Sequence, residues 1–304
     1  MVWFLKWTIR LNLQEVCIIL GKEEMQMTGT LYLCATPIGN LGDITSRVLD
    51  TLREADMIAA EDTRNSLKLL NHFAIKTPLT SYHEYNKVEK AEQILGWLRD
   101  GKNIALVTDA GTPAISDPGE VLVEKCLKEG IPVTSLPGCC ACITALTISG
   151  LSTRRFCFEG FLPSDKKEKK QILEELREET RTIILYEAPH HLKRTLKELY
   201  EILGERRITL CRELTKKFET IFPTTIEGAI AYYEENDPRG EYVLVVEGMN
   251  RKSLREEEQK KWSDLSIEEH MRVYEEQGME RKEAMKKVAT DRGISKREVY
   301  QALL

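Results

Sequence analysis

Short apolar runs, bounded by glycine, proline or charged residues, alternate along this chain with segments whose apolar positions recur every three or four residues. Leu31-Tyr32-Leu33-Cys34-Ala35 is the first such run; a Gly/Pro loop follows, then a segment carrying Ile44, Val48, Leu49 and Leu52 at helical spacing. Met57-Ile58-Ala59-Ala60 reads as a second buried strand closing on Glu61-Asp62-Thr63-Arg64, with a helix through Leu67, Leu70 and Phe73 behind it. The same rhythm predicts extended segments near 78–82, 103–108 and 131–136. Helices are predicted near 90–98 and 119–128, with an apolar helix ending at Ser149. Strands separated by helices require crossover connections, so the pattern predicts a mostly parallel sheet covered on both faces. Ligands of such sheets bind beyond the carboxyl ends of the strands, where the glycine-rich loops of this chain fall.

Gly150-Leu151-Ser152 reads as a boundary, giving an N-terminal α/β domain over 28–150 and a second α/β domain over 151–250. The second domain carries predicted strands near 156–161, 182–187, 208–212, 219–222 and 242–247, with helices near 169–177, 192–203 and 225–234. Short links between its late strands predict a mixed sheet. Residues 251–304 read as a charged linker and a small helical extension, with capping boxes at Ser266-Ile267-Glu268-Glu269 and Ser295-Lys296-Arg297-Glu298 and stops at Gly278 and Gly293. The last two helices resemble a helix-turn-helix. From Arg281 to Glu298 seven basic residues face three acidic ones, 7 − 3 = +4, which makes this stretch a candidate RNA contact as well as an ordinary solvated cap.

Composition narrows the class. The 304 residues are 42% hydrophobic and 31% charged, and no apolar run approaches the ~20 residues that cross a bilayer. Eight cysteines include Cys34, Cys126, Cys157 and Cys211 on apolar segments, the usage of free thiols in a reducing, cytoplasmic setting. Cys139, Cys140 and Cys142 lack a second ligand pair, so no metal site is predicted. A net charge of −5 disfavours a grip on naked nucleic acid through phosphate attraction alone. An RNA role therefore needs a local patch, or a substrate already shaped by other proteins. Residues 1–27 show no periodicity leading into the fold and read as a non-native or disordered N-terminal extension. Gly21-Lys22-Glu23-Glu24 is encodable by an all-purine run resembling a ribosome-binding site, just ahead of Met25 and Met27.

No G-x-G-x-x-G follows the first strand and no Walker loop occurs, so neither a dinucleotide nor an ATP site is supported. Three glycine-containing loops follow strands instead: Thr36-Pro37-Ile38-Gly39-Asn40-Leu41-Gly42-Asp43, the stretch from Asp109 through Gly111, Thr112 and Ser116 to Asp117-Pro118-Gly119, and Leu136-Pro137-Gly138-Cys139-Cys140-Ala141. Glycine lets a ligand approach bare backbone. Each loop taken singly is equally a tight strand-to-helix turn with Asp43 or Asp117 as a local cap.

Together these strings resemble the tetrapyrrole-methylase-type (class III) methyltransferases, and within them the branch acting on small-subunit ribosomal RNA. Ala59–Arg64, Val107–Gly119, Ile143–Leu146, Arg155–Pro163, Tyr186–Leu192 and Arg212–Thr220 extend the resemblance from about Thr30 to Asn250, and the tail from Trp262 resembles the family's C-terminal extension. The resemblance implies two α/β domains, S-adenosylmethionine in the cleft between them, a homodimer, and 2′-O-methylation of a cytidine ribose in the decoding region of 16S rRNA; the acidic chain makes that rRNA within an assembled 30S subunit the expected substrate. Carried over by position, Pro37, Asp109, Gly111, Thr112, Ser116, Asp117, Cys140, Ala141 and Tyr186 would line the cofactor. Cys139-Cys140 departs from the family, which usually has a small polar pair there.

Transfer from a sulfonium needs the ribose oxygen held in line, ~3 Å from the methyl carbon, which is chiefly positioning. The 2′-hydroxyl is a weak acid, so a base or a cation beside the developing alkoxide helps. Glu61, Asp62, Arg64 and His83 are the candidates, with Glu187 and Glu213 as further options; each is equally readable as a structural group, Asp62 pinning Arg64 for example. His190-His191 is too isolated for a metal site. Two other functions fit the same fold: methylation of a corrin or sirohaem precursor, and a non-catalytic RNA-binding assembly factor. Translation is expected to begin at Met25 or Met27; the intact mass of the protein from its native host checks this, and a mass that includes the first 24 residues refutes it.

Overall fold

The computed structural model describes residues 28–250, 252, 259–260, 262 and 264–304. The expected N-terminal extension and most of the charged linker lie outside these described residues.

The inner strands of the first sheet are short and apolar on both faces, which suits a parallel sheet buried on both sides. β1 (Leu31–Cys34), β2 (Met57–Ala60), β3 (Leu79–Ser81), β4 (Ile104–Val107) and β5 (Val133–Leu136) form one sheet in the order β3-β2-β4-β1-β5. Every neighbouring pair is parallel. α1 (Ser46–Glu54) and α2 (Thr63–His72) cover one face, where Val48, Leu52 and Leu70 pack with Cys34, Ile58, Ala60, Ala105 and Val107. α3 (Lys87–Arg99) and α4 (Gly119–Lys128) cover the other, where Ile94, Leu98, Leu122 and Cys126 pack with Leu31, Leu33, Ala59 and Leu106. Local chemistry starts the helices on the first face: the Thr45 hydroxyl accepts from the Val48 amide at the head of α1, and the Asp62 carboxylate accepts from the Arg64 amide at the head of α2.

This strand order creates a crevice. From β1 the chain moves toward β2 through α1 on one face; from β4 it moves the opposite way toward β5 through α4 on the other. β1 and β4 are neighbours, so their outgoing connections diverge at the strands' carboxyl ends.

The compact units divide between Cys140 and Ala141, ahead of Gly150-Leu151-Ser152. The second begins with α5 (Ala141–Ile148). Its strands are β6 (Phe156–Phe161), β7 (Thr182–Glu187), β8 (Arg207–Arg212), β9 (Thr220–Thr225) and β10 (Tyr242–Val246), ordered β6-β7-β10-β8-β9. β6 and β7 are parallel and the other pairs antiparallel, the mixed sheet expected from the short links. α6 (Lys166–Glu175), α7 (Pro189–Leu203) and α8 (Ile226–Glu235) seal one face around Leu173, Leu196, Leu199, Ile226 and Leu244. α5 packs against β7 and β10, and the Thr209 hydroxyl of β8 donates to the Ser149 carbonyl just past it (2.7 Å).

The tail forms α9 (Ile267–Glu276), α10 (Arg281–Arg292) and α11 (Lys296–Ala302), packed around Met271, Tyr274, Ala284, Val288 and Val299. Both capping boxes are made, at Ser266 with Glu269 and at Ser295 with Glu298, and Gly293 takes the left-handed conformation that ends α10 (φ 64°). His270 is fully buried: Trp262 stacks on its ring at 3.7 Å, and Arg292 donates to its Nδ1 at 3.1 Å.

Burial also accounts for the cysteines. It pushes the thiols of Cys34 and Cys211 up to about 12 and those of Cys126 and Cys157 up to about 11, so these groups stay protonated and serve as packing. Ile58 is wholly enclosed at the centre of the first sheet. Ile58→Ala is expected to destabilise the first unit by about 2–5 kcal/mol, measured by urea unfolding; a loss under about 1 kcal/mol would show that the site collapses around the smaller side chain.

Candidate functional site

Five loops lie side by side at the carboxyl edge of the first sheet, because their strands are consecutive in it. In edge order they carry His83 after β3, Glu61–Arg64 after β2, Asp109–Gly119 after β4, Thr36–Asp43 after β1 and Pro137–Cys140 after β5. The three glycine loops are therefore adjacent, and the four proposed catalytic residues stand to one side of them.

Hydrogen bonds bind the loops into one surface. Thr36 and Gly111 exchange both backbone bonds, Thr36 N to Gly111 O at 2.8 Å and Gly111 N to Thr36 O at 3.0 Å. The Thr36 hydroxyl donates to the Thr108 carbonyl at 3.2 Å. Cys139 ties in the third loop: its carbonyl accepts from the Thr112 hydroxyl at 2.8 Å, and its thiol donates to the Asp43 carbonyl at 3.4 Å. Burial first, and then the Asp43 carboxylate, hold that thiol above its ordinary range.

The 109–119 loop holds an unusual backbone. Gly111 sits at φ 89°, and Ala114 and Ser116 take φ 67° and 65°, a region costly for residues with a β-carbon. The Asp117 carboxylate stabilises this shape: Oδ1 accepts from the amides of Ala114 (3.0 Å) and Gly119 (2.8 Å), and Oδ2 from that of Ile115 (3.2 Å). Asp117 is thus engaged as the loop's internal anchor and also holds the first amide of α4, that of Gly119. The Tyr82 hydroxyl donates to the Pro118 carbonyl at 3.0 Å behind it.

On the other side of β4, Glu61 Oε2 accepts from the Thr108 hydroxyl at 2.7 Å, and Asp109 accepts from the Asp62 amide at 3.2 Å. The Asp109 carboxyl is held above its ordinary 3.8, by desolvation first and then by the Glu61 carboxylate. Asp62 binds the Arg64 guanidinium through two bonds, Nε to Oδ1 at 3.2 Å and Nη2 to Oδ2 at 2.9 Å, which lowers the Asp62 carboxyl. Arg64 remains 87% exposed, so its other donors face outward. His83 stands furthest along the edge; its Nδ1 is buried without a hydrogen-bond partner.

A cavity of about 320 Å³ opens where these loops meet α2. Thr36, Pro37, Gly39 and Leu41 form one wall, Thr108 and Asp109 the base, and Asn65, Ser66, Lys68, Leu69 and His72 the other wall. Of the residues singled out in the sequence, Pro37 and Asp109 line it. Gly111, Thr112, Ser116, Asp117 and Cys140 belong to the adjoining loops of the same unit. Ala141 and Tyr186 belong to the second unit, where the Tyr186 hydroxyl accepts from the Cys142 amide (3.2 Å) and the ring lies edge-on to Phe158 and Phe161. Glu187 turns back on the Ala188 amide (2.8 Å), and Glu213 is engaged by Lys216 (3.0 Å), so both have structural partners. Asn65, Lys68 and His72 were not singled out. Their three- and four-residue spacing places them on one face of a helix starting at the strand edge, a spacing shared by any solvated helix face.

Among the described residues no cluster of His, Cys, Asp and Glu is placed to hold a metal ion, and no helix is long and apolar enough to cross a membrane.

The chain is a two-unit α/β protein with three glycine loops gathered at one sheet edge, and the sequence family described as Tetrapyrrole (Corrin/Porphyrin) Methylases matches residues 30–230: the chain belongs to that family. Within it, the chain is 52% identical to the ribosomal RNA small subunit methyltransferase I of Halalkalibacterium halodurans, covering 91% of this chain and 96% of the relative. It is 51% identical to the protein of the same name from Bacillus subtilis, covering 93% and 95%. The fold is also that of the Thermus thermophilus uroporphyrin-III C-methyl transferase crystallised with S-adenyl homocysteine, with a TM-score of 0.52 and 18% identity over 72% of this chain and 97% of that one.

The raised Asp109 carboxyl generates a stability prediction. A carboxyl whose folded pKa is raised stabilises the fold only while protonated. That contribution is complete below the ordinary 3.8 and is lost as the pH rises through the raised value. At neutral pH the ionised Asp109 therefore weakens the fold. Asp109→Asn keeps an oxygen for the Asp62 amide and is expected to raise the melting temperature at pH 7, with the gain vanishing below about pH 4. Thermal melts across pH check this; a lower melting temperature at pH 7 contradicts it.

Proposed function

We propose that this protein transfers a methyl group from S-adenosylmethionine to a cytidine ribose 2′-oxygen in the decoding region of 16S rRNA, acting as a cytoplasmic homodimer on assembled 30S subunits. One observation carries the reading. Glu61-Asp62-Thr63-Arg64, part of a string that resembles the ribosomal branch, is bonded through Thr108 and Asp109 to the glycine loop after β4. The name borne by relatives about half identical over nearly the full chain supports the same substrate.

The residues suit the cofactor. A cationic sulfonium favours nearby carboxylates, and Asp109 and Glu61 supply them; bare backbone at Gly111 admits a close approach. When bound, S-adenosylmethionine supplies an activated methyl group and leaves as a neutral thioether. In the first unit, Pro37, Asp109, Gly111, Thr112 and Cys140 are proposed to hold it. Ser116 and Asp117 maintain the loop's shape, since Asp117 is spent on three amides. The protein's remaining task is to hold the ribose oxygen in line and manage its proton. Glu61 is assigned as proton acceptor, its position fixed by Thr108. Arg64, oriented by the two bonds it donates to Asp62, is assigned to the developing alkoxide. His83 is assigned a secondary role. In the tail, Arg281, Lys282, Lys286, Lys296 and Arg297 are exposed and are proposed to contact RNA, which reconciles an acidic chain with an RNA substrate.

Methyl transfer from labelled S-adenosylmethionine to 30S subunits lacking the modification, with mass spectrometry of the digested nucleosides, tests this. A new 2′-O-methylcytidine is the expected product. Glu61→Gln and Arg64→Ala are each expected to lower kcat roughly 10²-fold or more, with cofactor affinity unchanged in Arg64→Ala and weakened in Glu61→Gln by the lost carboxylate, and His83→Asn is expected to lower it less than about tenfold. Intact cofactor binding without transfer to 30S or free 16S rRNA would point to a tetrapyrrole precursor. Absence of cofactor binding would point to an assembly factor.

A further inference from the structure

The α2 wall of the cavity carries charge that the fold does not require. Arg64, Lys68 and His72 recur every fourth residue of α2, and the helix contains no Asp or Glu. Arg64 and Lys68, cations four apart on one helix, repel one another, and a cation in the first turn opposes the helix dipole. Asp62 offsets only Arg64. Lys68 meets the Asn65 side-chain oxygen at 3.4 Å and, among the described residues, forms no ion pair. Lys87, Lys125 and Lys128 of the same unit pair with Glu84, Glu92 and Glu124, whereas Lys76, Lys90 and Lys102, like Lys68, form no ion pair among the described residues; what sets Lys68 apart is its place on the cavity wall. Asn65, Lys68 and His72 all line the cavity, while the opposite wall is neutral and the carboxylate of Asp109 lies at the base.

A cavity with an acidic base and a basic wall along a helix suits a ligand with two ends: an uncharged sugar or base over Asp109, and an anion beside Lys68. We propose that this wall is the acceptor subsite, with Lys68 contacting a phosphodiester next to the methylated nucleotide and Asn65 and His72 flanking the ribose-phosphate. This rests on the ribosomal RNA reading above and names which side of the cavity that substrate occupies. The cofactor lies on the other side, against Pro37 and the glycine loops. Lys68 takes no part in the chemistry; it positions the strand, so its loss acts on substrate affinity and on its dependence on salt. A contact to one phosphate of a single strand contributes about 0.7 to the slope of log affinity against log salt concentration.

The experiment compares Lys68→Ala and Lys68→Glu with wild type and with Lys102→Glu. Lys102 is exposed at the opposite edge of the sheet and matches the charge change. Methyl transfer to 30S subunits is measured from low to high salt, and S-adenosylmethionine binding is measured by calorimetry on the same full-length proteins. Expected are a KM for subunits raised at least tenfold in Lys68→Glu and a salt slope shallower by about 0.7 in Lys68→Ala. Cofactor affinity stays within twofold of wild type, and Lys102→Glu behaves as wild type. Thermal melts confirm folding, and Lys68→Ala, which removes one exposed charge, serves if the glutamate variant is unstable. If wild type methylates subunits while both Lys68 variants keep its KM and salt slope, this inference fails and the function stands. Equal losses in cofactor binding and KM assign the wall to the cofactor and overturn it as well. Should wild type bind cofactor and methylate no RNA, the function fails and this subsite with it.

Discussion

The paired backbone bonds between Thr36 and Gly111 hold together two loops that the topology would otherwise let separate. β1 and β4 are neighbours, yet their outgoing connections run in opposite directions over opposite faces of the sheet. A crevice opens at such a divergence by geometry alone. The Thr36–Gly111 bridge closes its floor, the Thr36 hydroxyl on the Thr108 carbonyl braces it, and Cys139 joins the third loop through Thr112 and Asp43. The position of Asp109, and through it that of Asp62 and Glu61, follows from this small set of bonds. The site is therefore a property of the strand edge, and the helices contribute by starting or passing beside it.

Much of this was legible from the residues. Apolar runs and helical spacing located nearly every element, because a doubly covered parallel sheet leaves strands apolar throughout and helices amphipathic. α4 begins and ends where the pattern places it, and both tail capping boxes are made. The three glycine loops were visible as strings. That they are contiguous was not, because chain order does not reveal that β4, β1 and β5 are neighbours. Lys68 and His72 went unnoticed for a related reason: on a solvated helix face a basic residue has no sequence mark separating it from any other surface charge, and only the cavity beside it does so. The Cys139 pair looked like a departure from a polar motif. In the folded chain its backbone carbonyl accepts from Thr112, which any residue could offer, while its thiol supplies the donor to Asp43 that a small polar side chain would.

Two carboxylates that look alike in the sequence, Asp109 and Asp117, do different work for a reason that only geometry supplies. Asp117 is saturated by three amides and belongs to the loop's internal support. Asp109 takes weaker bonds, lies near a second carboxylate and is held above its ordinary ionisation range. Destabilised charge beside a cavity is a common attribute of functional groups. Here it coexists with a neutral opposite wall and a basic flank, so one small surface offers three electrostatic environments to a ligand.

The left-handed residues of the 109–119 loop have a kinetic consequence. Gly111, Ala114 and Ser116 are held in their costly torsions by the loop's own bonds, those of Asp117 and the bridge to Thr36. The ordering entropy of this segment is thus spent during folding rather than at each encounter. A small molecule settling on the loop needs little backbone rearrangement, so its arrival rate is governed by diffusion and access. Successive turnovers start from the same geometry, and spent product can leave without waiting for the loop to rebuild.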